Sequence, residues 1–149
     1  MMSDNGKCIL YIEDNPYSRT LVRRILEARG YTVLEADNGV TGLATAQEAM
    51  PDLILMDLSM PDMDGYETSR QIKSIPQLQH IPIVALTAHA MRGDREKALA
   101  AGCNGYIPKP IDIKSLPEQI ARFLEARGKG QEARSKRQRD KQDKGKVFL

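Results

Sequence analysis

The chain has too few cysteines and histidines to form a disulfide framework or a zinc site. Its 149 residues include only Cys8, Cys103, His80 and His89 from these two residue types, and the four are widely scattered. Disulfide-stabilised domains and structural zinc sites both need such residues in closely spaced groups. We therefore expect two free, buried or half-buried thiols in a domain that an apolar core stabilises.

Long apolar runs are also absent. No run approaches the roughly 18 residues that a membrane-spanning helix requires. The first six residues lack the apolar stretch of a signal peptide, because four polar or small residues follow Met1 and Met2. The sequence therefore predicts a cytoplasmic protein without a membrane partner.

The sequence contains none of the glycine-rich loops that bind nucleotides. Neither Gly-x-Gly-x-x-Gly nor the phosphate-binding Gly-Lys-Ser/Thr loop is present, so nucleotide binding has no support. A helix-loop-helix calcium site is excluded for a different reason. Asp62, Asp64 and Gly65 suit such a loop, but its first and twelfth ligand positions would be Met60 and Gln71.

Positive charge is concentrated at one end of the chain. Residues 129–149 contain eight Lys and Arg against three Asp and Glu, whereas the preceding residues contain 14 against 17. We divide the chain into a folded domain at 1–127 and a basic polar tail at 128–149. The tail has too few apolar residues to form a core, so disorder or a solvated helix is expected. A basic arm that touches nucleic acid or a protein partner is the alternative.

Strands and helices alternate five times in the predicted domain. The predicted strands are residues 7–12, 31–36, 52–57, 81–86 and 105–107. The predicted helices are residues 16–29, 40–49, 66–74, 93–101 and 113–127. Four of the five strands are apolar without strict alternation, which is typical of a parallel sheet covered by helices on both faces. The first helix is expected to direct Leu21, Val22, Ile25 and Leu26 to the core.

Side chains with chemical potential lie at the ends of four of these strands. Glu13 and Asp14 follow the first, Asp57 ends the third, Thr87 follows the fourth, and Lys109 comes soon after the fifth. Ligands bind at this carboxyl edge in sheets of this kind. Crowded carboxylates repel unless a cation joins them, and hard oxygen ligands suit Mg²⁺. The sequence thus predicts a metal-assisted phosphoryl site with Asp57 as its nucleophile.

Four segments resemble the motifs of receiver domains in two-component signalling. They are Leu-Tyr-Ile-Glu-Asp-Asn (10–15), Pro-Asp-Leu-Ile-Leu-Met-Asp-Leu-Ser-Met-Pro-Asp-Met-Asp-Gly (51–65), Pro-Ile-Val-Ala-Leu-Thr-Ala (82–88) and Gly-Tyr-Ile-Pro-Lys-Pro (105–110). The resemblance is in order along residues 7–127. It implies a flavodoxin-like α/β fold, a doubly wound five-stranded parallel sheet with strand order 2-1-3-4-5.

The resemblance also implies roles at the acidic edge. Asp57 would accept the phosphoryl group, and Asp14 would bind Mg²⁺ directly while Glu13 holds a metal-bound water. The backbone carbonyl of Ser59 would be a further ligand, and Mn²⁺ would be a possible substitute for Mg²⁺. Ser59 and His89 would occupy positions that influence how fast the acyl phosphate hydrolyses, and a solvent-facing loop histidine is the alternative for His89.

The remaining roles concern the change of conformation that follows phosphorylation. Thr87 and Tyr106 would be the two residues that move in this change, the switch pair. Lys109 would be the lysine whose bond to Pro110 is cis in the family. A phosphohistidine of a histidine kinase or histidine phosphotransfer protein would donate the phosphoryl group. The surface around the fourth helix, fifth strand and fifth helix would then change and bind a downstream protein target. Such a domain is a switch that catalyses its own phosphorylation and dephosphorylation, and nucleic acid is not an expected partner.

Two alternatives stay open at the level of the sequence. The stretch Thr-Ala-His-Ala-Met (87–91) is also typical of the receiver segment of a hybrid histidine kinase. The Met1 start and the polar tail favour a stand-alone receiver. A small magnesium-dependent phosphatase of the haloacid-dehalogenase-like class is the other alternative. That class needs a second acid two residues after the nucleophile, where this chain has Ser59.

Overall fold

The computed structural model describes residues 6–59, 65–88 and 93–125. Within these residues, no helix is both long enough and apolar enough to cross a membrane. The predicted tail at 128–149, the domain boundary at 127 and the candidate residue His89 lie outside the described residues.

Five parallel strands form the central sheet. They are β1 (Cys8–Ile12), β2 (Thr32–Ala36), β3 (Leu53–Asp57), β4 (Ile83–Thr87) and β5 (Gly105–Pro108). Their order across the sheet is β2-β1-β3-β4-β5, and every neighbouring pair is parallel. The doubly wound fold and its strand order are therefore confirmed.

In the described residues, a helix follows each strand. The helices are α1 (Pro16–Glu27), α2 (Gly39–Ala49), α3 (Gly65–Ser74), α4 (Asp94–Ala100) and α5 (116–125). Asn15 caps α1 by accepting hydrogen bonds from the backbone N–H groups of Tyr17 and Ser18, and Pro16 occupies the first turn. The last helix begins later than predicted, because Asp112 organises a turn in which its Oδ1 accepts from the Lys114 N–H at 3.0 Å.

The sheet is buried on both faces, which explains the unbroken apolar character of its strands. Alternate residues of β3 enter opposite halves of the core. Leu53 and Leu55 pack on the side of α1 and α5, whereas Ile54 and Met56 pack on the side of α2 and α3. All four side chains are fully buried. A strand covered on both faces needs apolar residues at consecutive positions.

The predicted core face of α1 was wrong at one position. Val22 and Leu26 are fully buried and Ile25 packs partly against them, but 46% of Leu21 is exposed. Successive helical residues are roughly 100° apart around the axis, so Leu21 is rotated away from the face that contains Val22. It lies instead one turn after Tyr17, which is 84% exposed.

Candidate functional site

Three carboxylates meet at the carboxyl edge of the sheet. Glu13 and Asp14 directly follow β1, and Asp57 ends β3, which is the neighbouring strand. One carboxylate oxygen from each residue lies within 4.8 Å of the other two. Glu13 and Asp57 are buried, whereas Asp14 is exposed. This set of oxygen donors fits a hard divalent cation such as Mg²⁺.

Lys109 forms the positive side of the site. Its Nζ lies 3.0 Å from Asp57 Oδ1 and 3.6 Å from Glu13 Oε1. Its own backbone N–H donates to the carbonyl of Thr87 at 2.7 Å, which fixes Lys109 beside the end of β4. One lysine cannot neutralise three ionised carboxylates, so this charge arrangement also favours a bound cation.

The backbone that follows β3 also orients Asp57. The N–H group of Ser59 donates to Asp57 Oδ1 at 3.0 Å, the same oxygen that Lys109 contacts. Ser59 itself is exposed. The predicted role of its carbonyl as a metal ligand remains a prediction. The peptide bond between Lys109 and Pro110 is cis.

Burial raises the pKa of Glu13 to about 7, and the adjacent Asp57 carboxylate adds to this effect. The N–H of Asn15 donates to Glu13 Oε2 at 3.1 Å and acts in the opposite direction, as does Lys109. The fully buried hydroxyl of Tyr11 donates to Glu13 Oε1 at 3.0 Å. Burial and the Glu13 charge raise the pKa of Tyr11, so this hydroxyl keeps its proton and remains a donor.

Sequence reasoning assigned Tyr11 only to a buried strand and missed its contact with the site. The position of Tyr11 in the sequence was enough to indicate this contact. Tyr11 and Glu13 are two residues apart along an extended segment, and such residues point to the same face of a sheet. A tyrosine at this position therefore has its hydroxyl within reach of the first acid.

The proposed switch residues lie on the two strands beyond β3. The sequence predicted Thr87 to follow the fourth strand directly, but Thr87 is the last residue of β4. Its side chain is buried. Its hydroxyl donates to Asp94 Oδ2, and the Tyr66 hydroxyl donates to Asp94 Oδ1 at 2.7 Å. The guanidinium carbon of Arg95 lies 5.6 Å from the centroid of the Tyr106 ring. Asp94 and Arg95 were missed, since in sequence they look like ordinary polar residues of a solvated helix.

Comparisons with known proteins agree on one family. Residues 9–121 match the response regulator receiver domain. The polar-differentiation response regulator DivK of Brucella anthropi is 41% identical over 118 residues, which cover 79% of this chain and 96% of that relative.

Two solved structures show the same fold. The receiver domain of the sensor histidine kinase PA1611 from Pseudomonas aeruginosa PAO1 has a TM-score of 0.73 and 37% identity, over 79% of this chain and 97% of that one. A magnesium ion is coordinated in its active site cleft. A CheY-like response regulator receiver domain protein from Methanospirillum hungatei JF-1 has a TM-score of 0.77 and 29% identity, over 83% of this chain and 98% of that one.

We expect the free energy of unfolding to decrease as the pH rises from about 5 to 8 in the absence of divalent cations. The pKa of Glu13 is raised from 4.5 to about 7 in the folded protein. Between these values the folded chain binds more protons than the unfolded chain. The stabilising contribution is therefore complete below the unfolded pKa and is lost as the pH passes the folded one. Denaturant titrations across this range measure the slope.

Glu13→Gln should flatten that slope, because glutamine stays neutral throughout. Glu48→Gln is the matched control. Glu48 is exposed on α2, so its replacement should leave the profile unchanged. A Glu13→Gln protein with the same pH dependence as the unmodified chain would contradict the assignment.

Proposed function

This chain belongs to the response regulator receiver domain family of two-component signalling, and on that premise we propose that it is a phosphorylation switch whose phosphoacceptor is Asp57. The position of Asp57 is the observation that carries the proposal. It ends a fully buried strand, its Oδ1 lies 3.0 Å from the Lys109 ammonium, and two further carboxylates lie beside it. No other described aspartate combines these three features.

Asp57 acts as the nucleophile in this proposal. Its carboxylate attacks the phosphorus of a phosphohistidine, so that a P–O bond forms to Asp57 and the P–N bond to the donor histidine breaks. The leaving imidazole takes up a proton. Glu13, Asp14, Asp57 and the carbonyl of Ser59 would hold Mg²⁺, or Mn²⁺ in its place. The cation would supply positive charge to the phosphoryl oxygens.

Lys109 and Thr87 complete the site. The Lys109 ammonium already pairs with Asp57 and is able to contact a phosphoryl oxygen once the acyl phosphate forms. The Thr87 hydroxyl would leave Asp94 and donate to the phosphoryl group, and Tyr106 would turn inward. The surface formed by α4, β5 and α5 would change as a result, because the added charge favours the second arrangement of these elements.

The expected partners and cellular location follow from the proposed role in phosphoryl transfer. The donor would be a cytoplasmic histidine kinase domain or a histidine phosphotransfer protein, and the reader would be a downstream protein. Ser59 and His89 would set the lifetime of the acyl phosphate. No carboxylate is available at Ser59 to activate water, so we expect slow hydrolysis and not phosphatase turnover.

A second candidate function is that of a receiver segment within a hybrid histidine kinase. The 37% identity to the receiver domain of a sensor histidine kinase favours it. The DivK relative favours the stand-alone form, because the matched region covers 96% of its length. Immunodetection of the native polypeptide distinguishes the two. A stand-alone receiver migrates near 16.6 kDa, whereas a hybrid kinase is far larger.

We expect acetyl phosphate and Mg²⁺ to add one phosphoryl group per chain, and Asp57→Ala to abolish this addition while leaving the fold intact. Removing one of three crowded carboxylates relieves repulsion, and Lys109 keeps Glu13 as a partner at 3.6 Å, so the variant should stay folded. Intact-mass spectrometry measures the addition, and denaturant titration measures the stability.

Asp37→Ala is the control for this experiment. Asp37 follows β2 at the same edge of the sheet but is exposed and lies outside the acidic group, so its loss should not affect labelling. Equal labelling of Asp57→Ala would refute the proposal. Multiple-turnover hydrolysis of simple phosphomonoesters by the unmodified protein would instead favour the phosphatase class.

We expect phosphorylation to depend on Mg²⁺. Asp14→Ala should lower the affinity for Mg²⁺ more than Glu13→Ala does. Asp14 is exposed and available as a direct ligand, whereas Glu13 already accepts hydrogen bonds from Tyr11 and Asn15. For Asp14→Ala, the Mg²⁺ concentration that gives half-maximal labelling should rise at least about tenfold. A Mg²⁺ titration of acetyl phosphate labelling measures it, and labelling that persists in a chelator would contradict the mechanism.

A further inference from the structure

The first turn of α4 contacts both residues of the proposed switch pair. Asp94 accepts a hydrogen bond from the Thr87 hydroxyl, and the guanidinium of Arg95 lies over the Tyr106 ring. We call Asp94 and Arg95 the α4 latch. Thr87 ends β4 and Tyr106 lies in β5, so two consecutive helical residues reach two neighbouring strands.

Asp94 connects three elements of the fold. Its Oδ2 accepts from Thr87 at the end of β4, and its Oδ1 accepts from the Tyr66 hydroxyl on the first turn of α3, at 2.7 Å. Hydrogen bonds to a carboxylate are shorter and stronger than those between neutral groups. A carboxylate with one hydroxyl donor on each oxygen is held in a defined orientation, so Tyr66 helps to aim Asp94 at Thr87.

Both hydrogen bonds join Asp94 to elements other than its own helix. The residue before α4 is Gly93, which has no side chain to cap the helix, and both oxygens of Asp94 accept from hydroxyls of other elements. The geometry is therefore that of a link between β4 and α3.

We propose that Asp94 is a positioning residue that restrains the Thr87 hydroxyl in the unphosphorylated chain and thereby weakens the response of the site to phosphorylation. A threonine hydroxyl has one hydrogen to donate. While Thr87 donates to Asp94, it does not donate to a phosphoryl oxygen on Asp57. The inference rests on the proposed function, since it takes Thr87 to be the hydroxyl that binds the phosphoryl group.

The restraint has a measurable size. Apparent affinity for a ligand falls in proportion to the fraction of molecules in the competent conformation. A single hydrogen bond to a charged group shifts such an equilibrium by about tenfold or more. Removing the Asp94 carboxylate should therefore tighten binding of a phosphoryl mimic by about tenfold. The Arg95–Tyr106 contact acts in the same direction, because it holds Tyr106 beside α4.

Beryllofluoride with Mg²⁺ provides the test, because it occupies the position of the phosphoryl group without covalent chemistry. Isothermal titration of the full chain should show about tenfold tighter beryllofluoride binding for Asp94→Ala than for the unmodified protein. Asp94→Asn retains one acceptor oxygen and should fall between the two. Tyr66→Phe removes the hydrogen bond to Asp94 Oδ1 and leaves the one from Thr87, so it should give a smaller change in the same direction. Binding of Mg²⁺ alone should be equal in all four proteins.

A double-mutant cycle with Thr87→Ala shows whether Asp94 acts through the hydroxyl. Without that hydroxyl, Asp94→Ala should no longer change beryllofluoride affinity. A merely structural role of Asp94 would change the affinity in both backgrounds, and that result would overturn the inference. Unchanged or weaker binding by both Asp94→Ala and Asp94→Asn would overturn it as well. Failure of the unmodified chain to bind beryllofluoride at all would instead overturn the proposed function on which the latch depends.

Discussion

The ion pair between Lys109 and the buried carboxylate of Asp57 is the interaction on which the rest of the site depends. Lys109 follows β5 and Asp57 ends β3. The ion pair therefore spans the end of β4, which lies between these two strands. The observed strand order brings these two chain positions together. The pair also leaves a charge imbalance, because Glu13 lies 3.6 Å from the same ammonium and Asp14 is close by. A proton on Glu13 or a divalent cation is able to relieve it.

The sequence was informative about this edge for a physical reason. Strands buried on both faces are apolar along their whole length, so the first charged or hydroxyl residue after each run marks the strand end. Glu13, Asp57 and Thr87 were located in this way. The parallel direction of the strands then brought them to one edge without further information. The exposed position of Leu21 was not accessible by this route, because helical spacing alone does not fix where a buried face ends.

The contacts that the helices make were also not predictable from the sequence. The hydrogen bond between Tyr66 and Asp94 joins residues 28 positions apart and depends on how α3 and α4 begin relative to β4. Packing determines those starting points, and no spacing rule describes them. Tyr11 is an intermediate case. Its hydroxyl lies at hydrogen-bond distance from Glu13 because of simple strand geometry, yet a tyrosine in an apolar run is read first as part of the core.

The hydrogen bond from the Lys109 backbone N–H to the Thr87 carbonyl constrains how the site is able to move. Leu86, the preceding residue, is held in the same way from the other side by the N–H of Leu58 at 2.9 Å. With the main chain held toward both neighbouring strands, the change of partner proposed for the Thr87 hydroxyl would occur chiefly by rotation about its Cα–Cβ bond. A β-branched side chain has only a few staggered positions about that bond. Each molecule is therefore expected to respond in a discrete step, so that a graded signal arises from the proportion of molecules in each rotamer and not from partial movement within one molecule.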